Sequence, residues 1–328
     1  MKHIQNNPKK NVRAMLSAFH AEHSDRIQLD LTHKIIFQKV TNQVALISGG
    51  GSGHEPADFG YVGAGMLTAS VSGDLFTPPY PEAIVEAIKQ TDCGAGALLI
   101  VKNFASDVEM FTKAKELAEA IGHNVELVTI SDDHSIEDKL TYKKRKRGVA
   151  GTVLAQKILG AAAKNGASLA ELVLLAETIN NNLYTLGVAL ESAYVPGSDE
   201  PSFTLTESEV YFGVGIHGEK GYRKEAFKSS EQLAIELVNK LKRMNHWQPN
   251  NSYAVLVNGL GSTPLMEQYI FTNDVRRLFQ LEQLTIPFLK VGNHLTSYNM
   301  HGVSLTLLKL VDSNWANALK STTDASHW

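Results

Sequence analysis

Val44-Ala-Leu-Ile-Ser-Gly-Gly-Gly-Ser-Gly-His-Glu-Pro56 is the stretch on which the reading of this chain turns. Val44 to Ile47 is short, apolar and partly β-branched, the pattern of a buried strand. The predicted strand breaks into a turn over Gly49, Gly50, Gly51, Ser52 and Gly53. Glycine admits positive φ and lets another group approach the backbone closely. Consecutive N–H groups in such a turn suit an oxyanion or a polar ligand. His54 and Glu55 add titratable groups at its mouth; the plainer alternative is a tight strand–helix turn capped by Ser52. The segment lacks G-x-x-x-x-G-K-[ST] and fails G-x-G-x-x-G. A formal match to the second pattern at Gly213, Gly215 and Gly218 runs into Glu219-Lys220-Gly221-Tyr222, a turn and not the start of a helix. No nucleotide motif is read in the chain.

Outward from this stretch, strands and helices alternate. Val12, Met15, Leu16 and Phe19 have helical spacing, and Ile35-Ile36-Phe37 reads as a strand. Gly60 to Ser72 is small and apolar, a segment for close packing. Thr77-Pro78-Pro79-Tyr80-Pro81 is a rigid loop, and Pro81 suits the first position of a helix through Ile84, Val85 and Ile88. Ala97 to Val101 predicts a buried strand, followed by a helix through Met110, Phe111, Ala114, Leu117 and Ala118, Gly122 as its end, and a strand over Val125 to Ile130. Strand–loop–helix repetition argues a parallel sheet covered by helices, with ligands at the carboxyl ends of the strands. That rule places the glycine turn and Lys102 to Asp107 on one edge.

Helices are predicted over Ala150 to Asn165 and Leu169 to about Asn182, then a linker at Pro196 to Ser202. Beyond it, strands at Val210–Ile216, Tyr253–Val257, Ile286–Val291 and Val303–Leu310 alternate with helices at Glu231–Met244 and Leu265–Leu278. Val255 to Pro264 repeats the order strand, glycine turn, helix start. The fold class is therefore α/β: two α/β domains, each a sheet covered by helices, with the ligand site between them. The first, residues 1–190, carries the glycine-rich loop; the second, residues 191–328, carries His217.

A formal charge of −3 exerts no general pull towards nucleic acid or membrane. Cys93 is the one cysteine, so no intrachain disulfide can form, which suits a reducing cytoplasm. Met1 to Pro8 has no apolar core of a signal peptide, and no apolar run approaches the ~18 residues of a membrane span. Asp132-Asp133-His134 reads as a solvated loop or helix cap in preference to a metal site, because no second ligand cluster accompanies it. Lys143 to Arg147, five consecutive bases, reads as a solvated loop in preference to a nucleic-acid contact.

Four side chains stand out for chemistry. His217 lies in Phe212-Gly-Val-Gly-Ile-His-Gly-Glu219; flanking glycines would leave it open to act as nucleophile or base, against the alternative of a hydrogen-bonded loop histidine. Lys102 could orient a carbonyl or phosphate, or be a surface lysine. Asp107 could be a general base, or the N-cap of the next helix. His54 joins them at the glycine turn. These residues by themselves support a small polar ligand site, with catalysis open.

Along essentially its whole length the chain resembles the dihydroxyacetone-binding subunit of dihydroxyacetone kinases. The resemblance rests on Ser48 to Pro56, Lys102-Asn103, Arg147-Gly-Val-Ala-Gly-Thr152, Pro201-Ser-Phe-Thr204, Gly213 to Glu219 and Thr306-Leu-Leu-Lys309, in that order. It implies that His217 adds to the ketone carbon of dihydroxyacetone as a covalent hemiaminal. It implies further that Gly51, Ser52, Gly53, His54, Lys102 and Asp107 hydrogen-bond the captured triose, with His54 and Asp107 as an acid/base pair for phosphoryl transfer. It also implies a homodimer with no cofactor or metal of its own, any ATP or ADP and magnesium being carried by a partner subunit or a further domain.

The departures from the family pattern lie at the rims. Thr77-Pro78-Pro79-Tyr80-Pro81-Glu82 replaces Thr-Ser-Pro-Thr-Pro-Asp, Asn103-Phe-Ala-Ser-Asp107 replaces Asn-Tyr-Thr-Gly-Asp, and Asp58 stands for a usual histidine. Ser297-Tyr-Asn-Met300 replaces Ser-Leu-Asp-Met, and Tyr142-Lys-Lys-Arg-Lys146 precedes the arginine segment. Two functions follow from the resemblance. One is a regulatory paralogue that binds dihydroxyacetone and acts as coactivator of a transcription factor for a dihydroxyacetone operon, without touching DNA itself. The other is a kinase subunit presenting the triose to a nucleotide-carrying partner. Retained His54 and Asp107 favour the kinase; the altered loops favour the regulator, which is the expectation adopted.

Overall fold

The computed structural model describes residues 3–39, 42–135, 146–194 and 200–328. The chain divides into two compact units that are each discontinuous in sequence: Met1–Ile130 with Ala155–Thr178 and Ser321–Trp328, and Ser131–Leu154 with Ile179–Lys320. Each unit takes residues from both sides of the division expected at residues 190 and 191.

The first unit contains α1 (Asn11–His23), β1 (Gln28–Asp30), β2 (Ile35–Phe37), β3 (Ala45–Ser52), β4 (Ala69–Leu75), α2 (Pro81–Thr91), β5 (Ala97–Lys102), α3 (Ala105–Ala120) and β6 (Val125–Ile130). Its sheet runs β1-β2-β4-β3-β5-β6. β4, β3, β5 and β6 are mutually parallel, and β1 and β2 form an antiparallel edge. All six residues of β5 are buried, as a central parallel strand covered on both faces requires. Ile47, Val71, Leu99 and Val101 meet Ile84 and Ile88 of α2 and Phe111 and Ala114 of α3 in one core. Pro81 occupies the first turn of α2, where its missing N–H costs nothing.

The glycine stretch differs from its sequence reading. β3 continues through Gly49, Gly50 and Gly51 to Ser52, with Gly49 opposite Val71 and Gly50 opposite Ser72 on β4. The turn begins at Gly53. A Cβ on Gly49 would lie 2.3 Å from the Val71 carbonyl oxygen, and one on Gly51 would lie 2.6 Å from the Thr77 nitrogen. These two glycines thus let β4 and the turn after it cross at close range. Ser52 Oγ donates to the Gly73 carbonyl and caps no helix.

α4 (Gly151–Lys164) and α5 (Leu169–Asn181) each cross a unit boundary in sequence. The second unit follows with β7 (Leu183–Glu191), β8 (Glu209–Phe212), β9 (Arg223–Ala226), α6 (Ser230–Asn245), β10 (Ser252–Gly261), α7 (Leu265–Leu281), β11 (Thr285–Gly292), β12 (His301–Lys309) and α8 (Ser313–Lys320). Its sheet runs β11-β10-β12-β7-β8-β9. β10 and β11 are parallel and every other pair is antiparallel, so this sheet does not repeat the parallel architecture of the first. β7 had no counterpart in the sequence reading, yet it sits mid-sheet between β12 and β8. Leu186, Val188, Val255, Leu305, Leu237, Phe271 and Phe279 form the core under α6 and α7. The mixed α/β architecture, two sheets each covered by helices, is that of the sequence reading.

Candidate functional site

In the first unit the carboxyl ends of β3 and β5 bring Gly50, Lys102 and Asp107 together. Gly50 has φ of +150°, a conformation that favours glycine. A Cβ built there would lie 3.1 Å from Asp107 Oδ1 and 3.7 Å from Lys102 Nζ. The missing side chain therefore marks a space that a carboxylate and an ammonium approach from two elements. Asp107 stands in the first turn of α3, where an acidic group suits the helix dipole, and it is 5% exposed. It is not the N-cap, which is Phe104.

Lys102 is not a surface lysine. It ends β5 at 3% exposure and donates to Asp58 Oδ2 at 2.5 Å and to the Gly49 carbonyl at 3.0 Å. Asp58, 6% exposed, also accepts from Gln156 Nε2 on α4 at 2.8 Å. Gln156 Nε2 lies 3.1 Å from Ser48 Oγ, which in turn donates to the Ile100 carbonyl. A buried ammonium is thus neutralised and fixed by a network spanning β3, β5, the 53–58 turn and α4. Sequence reading marked Asp58 only as a departure; its pairing across 44 positions with Lys102 leaves no local signal.

His54 is 2% exposed and stacks on Phe76, with ring centroids 5.1 Å apart and an interplanar angle of 18°. Gly53, at φ +106°, donates its N–H to Glu55 Oε1 at 2.8 Å. Burial pushes the Glu55 carboxyl above its ordinary range, against the opposing pull of the Gly53 and Glu55 N–H groups. A Cβ at Gly53 would lie 2.5 Å from Phe76 Cε1, so the glycine also clears room for the aromatic partner of His54.

In the second unit the predicted His217 lies on the turn between β8 and β9. The turn closes through Gly215 N–H to the Glu219 carbonyl, and Glu219 Oε2 accepts the His217 backbone N–H at 3.0 Å. The ring is held by its Nδ1 lying 3.1 Å from Glu219 Oε1. With 22% of its side chain accessible, His217 is half-buried, and the flanking backbone does not leave it open on both sides. Burial would raise the Glu219 carboxyl, but the hydrogen bond and charge of His217 and the charge of Arg147 outweigh it and hold the group at about 2. In the neutral tautomer that donates Nδ1–H to an ionised Glu219, Nε2 is the ring nitrogen with the lone pair.

Arg147 is the group behind this arrangement, and its reading as part of a solvated run fails. It is 7% exposed; Nε donates to Asp133 at 2.6 Å, and Nη2 donates to Ser135 Oγ at 2.8 Å and to the Gly213 carbonyl at 2.9 Å. Nη1 lies 3.9 Å from Glu219. The planar guanidinium ties the turn to the segment after β6 through several directed bonds, as an ammonium could not. Lys143 to Arg145 of the basic run lie outside the described residues. Asp132 and Asp133 are not solvated either, at 0% and 3% exposure. Asp132 accepts the Val149 and Gly151 N–H groups at 2.7 Å each, which makes it a buried cap for α4. Among the described residues no group of three His, Cys, Asp or Glu side chains could hold a metal ion, and no helix is long and apolar enough to cross a membrane.

The chain matches known proteins along most of its length. The family model described as the Dak1 domain matches residues 17–327. The dihydroxyacetone-binding subunit DhaK of the PTS-dependent dihydroxyacetone kinase of Lactococcus lactis subsp. lactis is 47% identical over 327 residues, covering 99% of this chain and 98% of its own length. The DhaKLM operon coactivator DhaQ of the same organism is 50% identical over 298 residues, 90% of each chain. A solved structure of a dihydroxyacetone kinase operon co-activator, DhaQ, matches with a TM-score of 0.92 at 46% identity, covering 96% of this chain and 98% of that one.

Proposed function

The chain belongs to the Dak1 domain family, and on that premise we propose that it captures dihydroxyacetone covalently on His217 and, when loaded, acts as coactivator of a transcription factor for a dihydroxyacetone operon. The observation that carries the capture is the Glu219 carboxylate on His217 Nδ1. With that proton fixed, the Nε2 lone pair adds to the ketone carbon and the carbonyl π electrons move to oxygen. The ring gains positive charge as the bond forms, and Glu219 compensates it. Overall one proton passes from the ring to the former carbonyl oxygen, and no atom leaves. The product is a hemiaminal, and a polyol without a carbonyl cannot form it. The hydrogen-bond partners proposed for dihydroxyacetone are Gly51, Ser52, Gly53, His54, Lys102 and Asp107.

The regulatory role is supported by the Asp58 ion pair that occupies Lys102, and by the relatives named as operon coactivators. The protein works as a cytoplasmic homodimer and reaches DNA only through its partner. A second reading, the substrate-binding subunit of a dihydroxyacetone kinase, is favoured by His54 and Asp107, both buried in the unit that holds the glycine stretch. In that case ATP or ADP and magnesium belong to the nucleotide-carrying subunit. Capture itself is tested with carbon-13 dihydroxyacetone on the wild type and His217→Ala. The wild type converts the ketone signal into one of tetrahedral carbon and the variant does not; an equal adduct in both would refute the assignment.

A further inference from the structure

The buried pair Lys102–Asp58 has a consequence for which ligands the first unit accepts. Lys102 is the cation beside the space over Gly50, and two carboxylates accompany it: Asp58 at 2.5 Å and Asp107, whose Oδ1 bounds the same space. Asp58 is itself immobilised by Gln156, which is anchored to Ser48. An ammonium buried this deeply needs a counter-charge inside the protein. Here that counter-charge is built in and does not wait for a ligand. A phosphate ester is recognised by cations and N–H groups whose charge is still uncompensated. A neutral hydroxyketone needs directed donors and acceptors without net charge. Of the three N–H donors on Lys102, Asp58 and the Gly49 carbonyl account for two.

We propose that Asp58 is a specificity-determining residue: by neutralising Lys102 internally it makes the site accept uncharged short-chain hydroxycarbonyl compounds and reject their phosphate esters. The inference rests on the dihydroxyacetone-binding reading and deepens it. In a sensing role it would let the protein respond to the free triose without inhibition by the phosphorylated form. Asp58 acts through Lys102, so it is a positioning and charge-setting residue and not a catalytic one.

The test compares dihydroxyacetone with dihydroxyacetone phosphate by calorimetric titration of the wild type, Asp58→Asn and Asp58→His, with circular dichroism as the control for folding. Removing one negative charge about 6 Å from a singly charged phosphate, at an effective dielectric constant of about 20 to 40, shifts its affinity by about a hundredfold down to tenfold. The wild type is expected to prefer the free triose by at least about tenfold, and Asp58→Asn to reduce that preference by a similar factor. A purely structural role for Asp58 would weaken both ligands together and leave the ratio unchanged, which would overturn the inference. Asp58→His supplies the same reading if Asp58→Asn does not fold. Equal wild-type affinity for the two ligands overturns it without any variant. Wild-type protein that binds neither ligand removes the dihydroxyacetone reading, and the inference with it.

Discussion

Replacing Glu219 by Gln tests how His217 is activated. Glutamine keeps the length but only one acceptor oxygen, so it can accept from the His217 backbone N–H or from the ring Nδ1–H and not from both. It also removes the charge 3.1 Å from Nδ1. A charge-assisted hydrogen bond exceeds a neutral one by about 1–1.5 kcal/mol. Coulomb attraction to a ring that becomes cationic adds to this in principle. Glu219 keeps 33% of its side chain accessible, and solvent screening reduces that extra to a fraction of its dry value. A loss of about 1.4 kcal/mol corresponds to about tenfold weaker capture. Calorimetric titration with dihydroxyacetone at neutral pH reads this directly, with thermal unfolding to show that the fold is kept. Glu219→Gln binding within about twofold of the wild type would show that the carboxylate does not assist capture. The same group makes a prediction about acid. Its folded value of about 2 lies below the ordinary 4.5. Its stabilising contribution is therefore complete above pH 4.5 and is lost as pH falls from 4.5 through about 2. The stability gap between wild type and Glu219→Gln should close over that interval, and a gap that closes near neutrality would contradict the assignment.

Two further outcomes follow. Lys102→Met leaves Asp58 buried without its partner and should cost about 3–5 kcal/mol in urea unfolding, whereas Lys102→Met with Asp58→Leu should recover most of that loss; equal losses in the two would mean that the ion pair is not the source of the cost. Mixed with dihydroxyacetone and a purified nucleotide-carrying kinase subunit, in its ADP or ATP form, the protein should yield no dihydroxyacetone phosphate above background, and production at the rate of an authentic binding subunit would decide for the kinase reading.

Much of the first unit was legible because its central strands are continuous apolar runs bounded by turn residues. β5 and β6 could be placed to within a residue or two for that reason. The glycine run was legible as a place of close approach, but not what approaches: at Gly49 and Gly51 it is the chain's own β4 and the turn behind it. β7 was hidden because Leu183-Tyr-Thr-Leu-Gly-Val-Ala-Leu-Glu191 has neither clean alternation nor an unbroken apolar run; Gly187 interrupts it where the Val214 carbonyl comes near. The site residues His54, Lys102, Asp107 and His217 were visible as polar groups after predicted strands. Their supports were not. Asp58 reaches Lys102, and Arg147 reaches Asp133 and Gly213, across distances in sequence that no local pattern encodes. Arg147 was further concealed by the four bases before it, which make a buried guanidinium look like one more solvated charge.

The central claim is that His217 forms a covalent, reversible adduct with dihydroxyacetone, and carbon-13 resonance of the labelled ligand on the intact protein tests it most directly. The account predicts a tetrahedral C2 signal with the wild type, a mass gain of one whole dihydroxyacetone without loss of water, and neither with His217→Ala. A signal that stays that of a free ketone on the wild type, or an adduct that survives in His217→Ala, would contradict it.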